Sequence, residues 1–268
     1  MYEIVKRDDL TKGIVRISVS AERIAKKCRP GQFVMIRVSN NGERIPLTIY
    51  DYDKELGVIE LVYQIVGVTT KKLSLLNVGD KIMDLLGPLG TPASKIISNN
   101  ILAIAGGLGI VPLLSQIREY EKEKITAIYG ASNMDSLVLK EELENYANAT
   151  YYYTEDGSFG KKGFVTKDLE EMLKNNNFEQ VLAIGPIPMM EAVVKITREF
   201  NIPTRVSLNP IMVDGTGMCG GCRVRVGTET KLACVDGPEF NGLFVDFDQL
   251  KNRVQMYEKR GHDCAIKK

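Results

Sequence analysis

Three cysteines crowd into one glycine-rich stretch, in the order Asp214-x4-Cys219-x2-Cys222-x11-Cys234. Thiolates this close together suit iron or zinc. A gap of four, then two, then a longer one is the spacing of the plant-type two-iron cluster. An aspartate stands where the first cysteine of that pattern falls. A carboxylate can ligate iron, as a harder donor than a thiolate. Gly215, Gly217, Gly220 and Gly221 let the loop turn and bring backbone N–H groups towards the sulfurs. A lone Cys-x-x-Cys also fits a pair of buried or redox-active thiols. Cys234 and the glycine spacing favour a metal, read as a 2Fe-2S cluster on Asp214, Cys219, Cys222 and Cys234. The rival is zinc on the same four groups, and colour separates the two.

Two further strings suit nucleotide cofactors. In RIPLT, Arg44 can hold a pyrophosphate bidentately. Pro46 fixes the backbone beside Leu47, and Thr48 offers a hydroxyl to a flavin ring system. VYQIVGVTT follows, with Val62, Tyr63 and Gln64 on a strand. Tyr63 is expected to stack on flavin or adenine, and Thr69 and Thr70 to bond phosphate oxygens. AGGLGIVP carries Gly106, Gly107, Gly109 and Pro112, a turn that lets a phosphate approach the backbone at a helix N-terminus. Proline suits the first turn of that helix. Thr154-Glu155-Asp156-Gly157 and Gly185-Pro186 end later strands, and ligands of open parallel sheets lie outside such ends. From these strings Asp156, Gly157, Gly185, Pro186 and Met189 join the nucleotide set. No arginine follows YGAS to meet a 2′-phosphate, so NAD(H) is expected rather than NADP.

The elements that must position these groups change in kind along the chain. GIVRISVS, QFVMIRVS, LTIYDYD and GVIELVYQIV read as short strands parted by turns, which suggests a small antiparallel barrel over residues 1–97. From 98 to 208, five apolar strands (ILAIA, ITAIYG, TYYYTE, VLAIG and PTRVSLN) alternate with helical stretches. IVPLLSQIREYEK, SLVLKEELENYA, FVTKDLEEML and PMMEAVVKITREF are read as the helices of a five-stranded parallel α/β sheet. Residues 209–268 show no regular hydrophobic face, so this module is expected to be ordered by a metal centre rather than by a core. Its tail from Asp248 is polar with a weak helical period. Cys28 reads as an inert core thiol, and Cys264 in the tail is given no role.

Bulk properties exclude several classes. The net charge of +1 offers nothing to nucleic acid or an anionic membrane. The longest apolar run, Ile101 to Leu114, is too short for a bilayer, and the N-terminal residues lack a signal-peptide core. A cytoplasmic protein is expected. The single histidine, His262, leaves little for a Ser–His–Asp triad or a histidine-rich zinc site.

The barrel, RIPLT, GGLGIVP, GPIPMM and the cysteine loop, in that order, resemble the ferredoxin–NADP reductase superfamily. Within it the chain is similar to the iron–sulfur electron-transfer subunits. One branch serves dihydroorotate dehydrogenase and carries four cysteine ligands. The other is the small subunit of NADH-dependent reduced ferredoxin:NADP oxidoreductase, with one aspartate and three cysteines, and Asp214 favours it. The resemblance implies FAD in the barrel, NAD(H) at the parallel sheet and a side-chain role in catalysis for none. It also implies a larger partner subunit with its own FAD, 4Fe-4S clusters and an NADPH site, with ferredoxin reached through the complex. A non-enzymatic, zinc-stabilised nucleotide-binding regulator is the reading from another class.

Overall fold

The computed structural model describes residues 1–95 and 97–265, the last nine by their backbone alone. The side chains of His262 and Cys264 lie outside the described residues. The first seven strands are β1 (Tyr2–Thr11), β2 (Ile14–Ser20), β3 (Phe33–Arg37), β4 (Ile45–Asp53), β5 (Val58–Gln64), β6 (Lys81–Ile82) and β7 (Asp84–Leu89). They form a nearly closed antiparallel barrel in the order β6-β1-β2-β5-β4-β3-β7. Two short helices, α1 (Glu22–Ala25) and α2 (Val68–Leu73), interrupt it. Strand periodicity sorts β2 between two cores. Val15, Ile17 and Val19 fill the barrel with Ile59, Leu61 and the buried Cys28. Ile14 points outward and packs with Tyr50 and Val62 against the next domain.

That domain is built from β8 (Ile101–Gly106), β9 (Ile125–Ala131), β10 (Ala149–Thr154), β11 (Lys161–Lys162), β12 (Gln180–Ile184) and β13 (Thr204–Ser207), with α3 (Ile110–Ile117), α4 (Lys140–Tyr146), α5 (Leu169–Asn175) and α6 (Ile187–Glu199). Strands β10-β9-β8-β12-β13 are the five parallel strands expected, and β11 extends one edge in parallel. Every residue of β8 is buried, as befits a strand covered on both faces. α3 and α5 are shorter than their apolar patterns suggest.

The C-terminal residues give the hairpin β14 (Arg223–Val226) and β15 (Glu229–Leu232), then β16 (Glu239–Asn241) and α7 (Phe247–Ala265). Here the structure corrects the expectation of a module without a core. Cys222, Val224, Ala233 and Cys234 pack in one core with Val181 and Val206 of the sheet and Phe247 and Leu250 of α7. The apolar residues are too few for a separate core, so they complete the neighbouring one. β16 also pairs antiparallel with β13, making the sheet seven-stranded. No helix among the described residues is long and apolar enough to cross a membrane.

Candidate cofactor sites

The Sγ atoms of Cys222 and Cys234 lie 3.2 Å apart, both buried. The Cys234 N–H points at the Cys222 sulfur, 3.4 Å away. Cys219 is exposed, and the Gly221 N–H is directed at its sulfur at 3.4 Å. Asp214 stands beside Cys219. Its Oδ2 accepts from the Cys219 N–H at 2.6 Å, and its Oδ1 from the Thr216 N–H at 2.6 Å. The four groups thus fall into two pairs, Asp214 with Cys219 and Cys222 with Cys234. A two-iron cluster takes two protein ligands on each iron.

The loop that carries them fits its surroundings only as glycine. Gly215 has φ +80°, and a Cβ there would stand 2.5 Å from Met35 Cγ and 2.8 Å from Leu89 Cδ1 of the barrel. Hydrogen bonds, chiefly from the Thr216 backbone, hold the Asp214 carboxyl below its usual range. Burial, and then the Cys222 neighbour, push the Cys234 thiol up to about 12. A bound cation reverses that, since a coordinating thiol is deprotonated outright. Burial likewise raises Cys28 to about 11, far from any other thiol of the set, as an inert core cysteine should be.

A cavity of about 670 Å³ opens between barrel and nucleotide domain. Pro46, Leu47 and Thr48 of β4 and Val62 and Gln64 of β5 line its barrel side. Gly106, Gly107, Gly109, Pro112, Gly185 and Pro186 line the other. It adjoins a second cavity of about 430 Å³ bounded by Glu43, Gln64, Thr69 and Thr70. The size and the mixed apolar and hydroxyl lining fit a flavin nucleotide.

Three residues of the flavin set stand differently from the expectation. Tyr63 is only 1% exposed and belongs to the barrel core, because it alternates with Val62 and Gln64. It borders the smaller cavity, but its ring is packed in the barrel core. The Arg44 guanidinium donates to Asp84 Oδ2 at 2.7 Å and does not line either cavity. The Thr70 hydroxyl accepts from the N–H groups of Val66 and Gly67 and so is committed to the start of α2. Thr69 donates to Glu43 Oε1 at 2.9 Å. Sequence reasoning missed Glu43, and also Asn209, Pro210 and Met212, which line the larger cavity from the segment after β13. Met212 stands two residues before Asp214, so one short segment serves both the cavity and the cysteine loop.

A third cavity, of about 410 Å³, lies outside the carboxyl ends of β8, β9, β10 and β12, where a parallel sheet binds its ligand. Gly106, Gly107, Pro186 and Met189 line it. The first three also line the flavin cavity, so the two spaces abut. Gly107 has φ +52° with open space where a Cβ would be. Gly109 is held closer: a Cβ would meet the Ile184 carbonyl oxygen at 2.2 Å. Of the string after β10, Glu155 lines the cavity. Asp156 instead accepts from the N–H and hydroxyl of Ser158, at 2.9 and 2.7 Å, and neither it nor Gly157 lines the space. Ser132 and the run from Gly163 to Thr166 form walls that the sequence did not reveal.

Comparison with known proteins agrees with this layout. Residues 209–246 match the iron–sulfur cluster binding domain of dihydroorotate dehydrogenase B. Residues 103–195 match the oxidoreductase NAD-binding domain. The chain is 42% identical to a dihydroorotate dehydrogenase B (NAD(+)) electron transfer subunit homolog of Thermotoga maritima, covering 97% of this chain and 93% of the relative. It is 44% identical to an uncharacterized protein from Clostridium beijerinckii over 96% of this chain and 91% of that one. A solved chain from work on flavin-based electron bifurcation by an NADH-dependent reduced ferredoxin–NADP oxidoreductase superposes with a TM-score of 0.90. It is 40% identical and covers 99% of this chain and 98% of its own. FAD, a 2Fe-2S cluster and NAD(H) are the cofactors that these domains and the reductase fold support. The chain belongs to the family of the dihydroorotate dehydrogenase B electron-transfer subunits, and it is an oxidoreductase.

Proposed function

We propose that this family member is the small subunit of a bifurcating NADH-dependent ferredoxin:NADP oxidoreductase, passing electrons between its cluster, FAD and NAD(H). Asp214 carries the reading. Its carboxylate is bonded to the Cys219 backbone, beside the paired Cys222 and Cys234, in the place where the other branch has a cysteine. The full-length likeness to the solved bifurcating enzyme supports it.

Bound cofactors supply the hydride and one-electron chemistry, and the residues supply position. Thr48 and Gln64 wall the flavin cavity from the barrel. Gly106, Gly107 and Pro186 line both the flavin and the nucleotide cavities, so the two cofactors would lie side by side there. Glu155 and Ser132 line the dinucleotide space. Asp214, Cys219, Cys222 and Cys234 hold the cluster.

The reading includes a larger partner subunit with FAD, 4Fe-4S clusters and an NADPH site, and ferredoxin as donor or acceptor through the complex. The second reading, service to a dihydroorotate dehydrogenase, rests on the match of residues 209–246 to that enzyme's iron–sulfur domain and on the names of relatives such as that of Thermotoga maritima. Purification from native cells decides between them. A copurifying glutamate-synthase-like flavoprotein is expected, and a barrel dehydrogenase in its place would overturn the proposal.

A further inference from the structure

The polar tail helix α7 touches the cysteine loop through one cation. Arg253 Nη2 donates to the Gly221 carbonyl at 3.1 Å, between Cys219 and Cys222 in the chain. The helix that presents it is anchored at both sides. Phe247 and Leu250 are buried in the core that holds Cys222 and Cys234. Lys251 Nζ binds both carboxylate oxygens of Glu191 on α6 at 2.9 Å, and Asp248 Oδ1 at 2.9 Å. Arg253 is therefore held in place rather than swinging in solvent. In a trans peptide the C=O and the following N–H point opposite ways. With the Gly221 carbonyl drawn to α7, the Cys222 N–H faces away from the helix.

We infer that Arg253 is a positioning residue for the cluster: its guanidinium fixes the peptide between two ligands and keeps a positive charge beside the loop, which raises the cluster's reduction potential. The inference rests on the cluster reading above. Each electron added to a cluster adds negative charge, so a fixed neighbouring cation favours the reduced form, and cluster potentials respond to net charge and hydrogen bonding. The partly buried setting strengthens the effect relative to an exposed cation such as Arg223 at the start of β14.

The test is a redox titration of the holo-protein, followed by visible absorption and EPR, on wild type and four variants. Arg253→Gln removes the charge. Arg253→Met does the same while keeping an apolar stem packed on the helix, and it serves should the Gln variant fail to fold. Arg253→Lys keeps the charge. Lys251→Gln loosens α7 from α6 without touching the loop. At the wild-type midpoint, the ratio of reduced to oxidised cluster is expected to fall about three- to tenfold in R253Q and R253M, tenfold being about 59 mV for one electron. R253K is expected to stay within about twofold, and K251Q to fall between wild type and R253Q because it loosens the helix that holds Arg253. An unmoved midpoint in R253Q or R253M overturns the inference. So does an R253K midpoint that falls as far as that of R253Q, since the positive charge would then not set the potential. Wild type lacking the spectrum of a reducible two-iron cluster would overturn the cluster reading instead.

Discussion

Cys222 and Cys234 approach to 3.2 Å across the base of the β14–β15 hairpin, although twelve positions separate them in the chain. The hairpin register brings them together, with the Ala233 N–H bonded to the Cys222 carbonyl. Either thiol replaced by Ser should cost most of the iron and labile sulfide. Cys28→Ala should retain both and lose only about 1–2 kcal/mol of stability, from the small void left in the barrel. Iron and sulfide assays with thermal unfolding check both outcomes.

Asp214→Cys should keep a two-iron cluster and shift its reduction potential, because the ligand set tunes it. A potentiometric titration that finds no shift would remove Asp214 from the ligand set.

Gly109→Ala should destabilise the fold by about 1–3 kcal/mol, since its Cβ would fall 2.2 Å from a backbone oxygen that has nowhere to go. FAD retention should drop with it, because Gly109 lines the flavin cavity. Thermal denaturation and flavin fluorescence report the two effects separately.

Glu155 lines the nucleotide cavity, where a carboxylate would repel a 2′-phosphate. Glu155→Ser should improve kcat/KM for NADPH relative to NADH about tenfold, or about 1.4 kcal/mol. Steady-state dye reduction with each nucleotide measures the ratio, and an unchanged ratio would place the discrimination elsewhere.

Asp168 accepts from Lys161 Nζ at 2.7 Å and from the Tyr153 hydroxyl at 2.9 Å, closing the segment that holds Gly163 to Thr166 against the nucleotide cavity. The Lys161 hydrogen bond, and then that of Tyr153, lower the Asp168 carboxyl from 3.8. A depressed carboxyl stabilises the fold above its unfolded value, and the contribution is lost as pH falls through the lower folded value. Acid unfolding of wild type should therefore be steeper below about pH 4 than that of Asp168→Asn. Circular dichroism against pH shows the difference, which solvent screening keeps small.

Sequence legibility followed local pattern. Spacing alone marked Cys219, Cys222 and Cys234, and the apolar run of β8 with its glycines marked the nucleotide turn. Strand alternation was available for Tyr63, yet residue type suggested a stacking ring and masked its inward position. Arg44 was read by charge, while its partner Asp84 sits on β7, forty residues on, where no local signal pairs them. Phe164 to Thr166 looked like the start of α5. They are a cavity wall, and the helix begins only at Leu169, after Asp168 is taken up by Lys161 and Tyr153. The C-terminal module looked coreless because half of its core belongs to another domain.

The antiparallel pairing of β16 with β13, Val206 against Phe240, has a consequence for the chain's behaviour when cut. At the opposite edge the sheet ends in β11, two exposed lysines that discourage strand addition. At the β13 edge the deterrent is β16 itself, which occupies the free N–H and C=O row. A chain stopped at residue 208 would uncover that row, together with Val206, and would stick to its own copies. The segment that carries the thiols thus also covers the β13 edge of the nucleotide sheet.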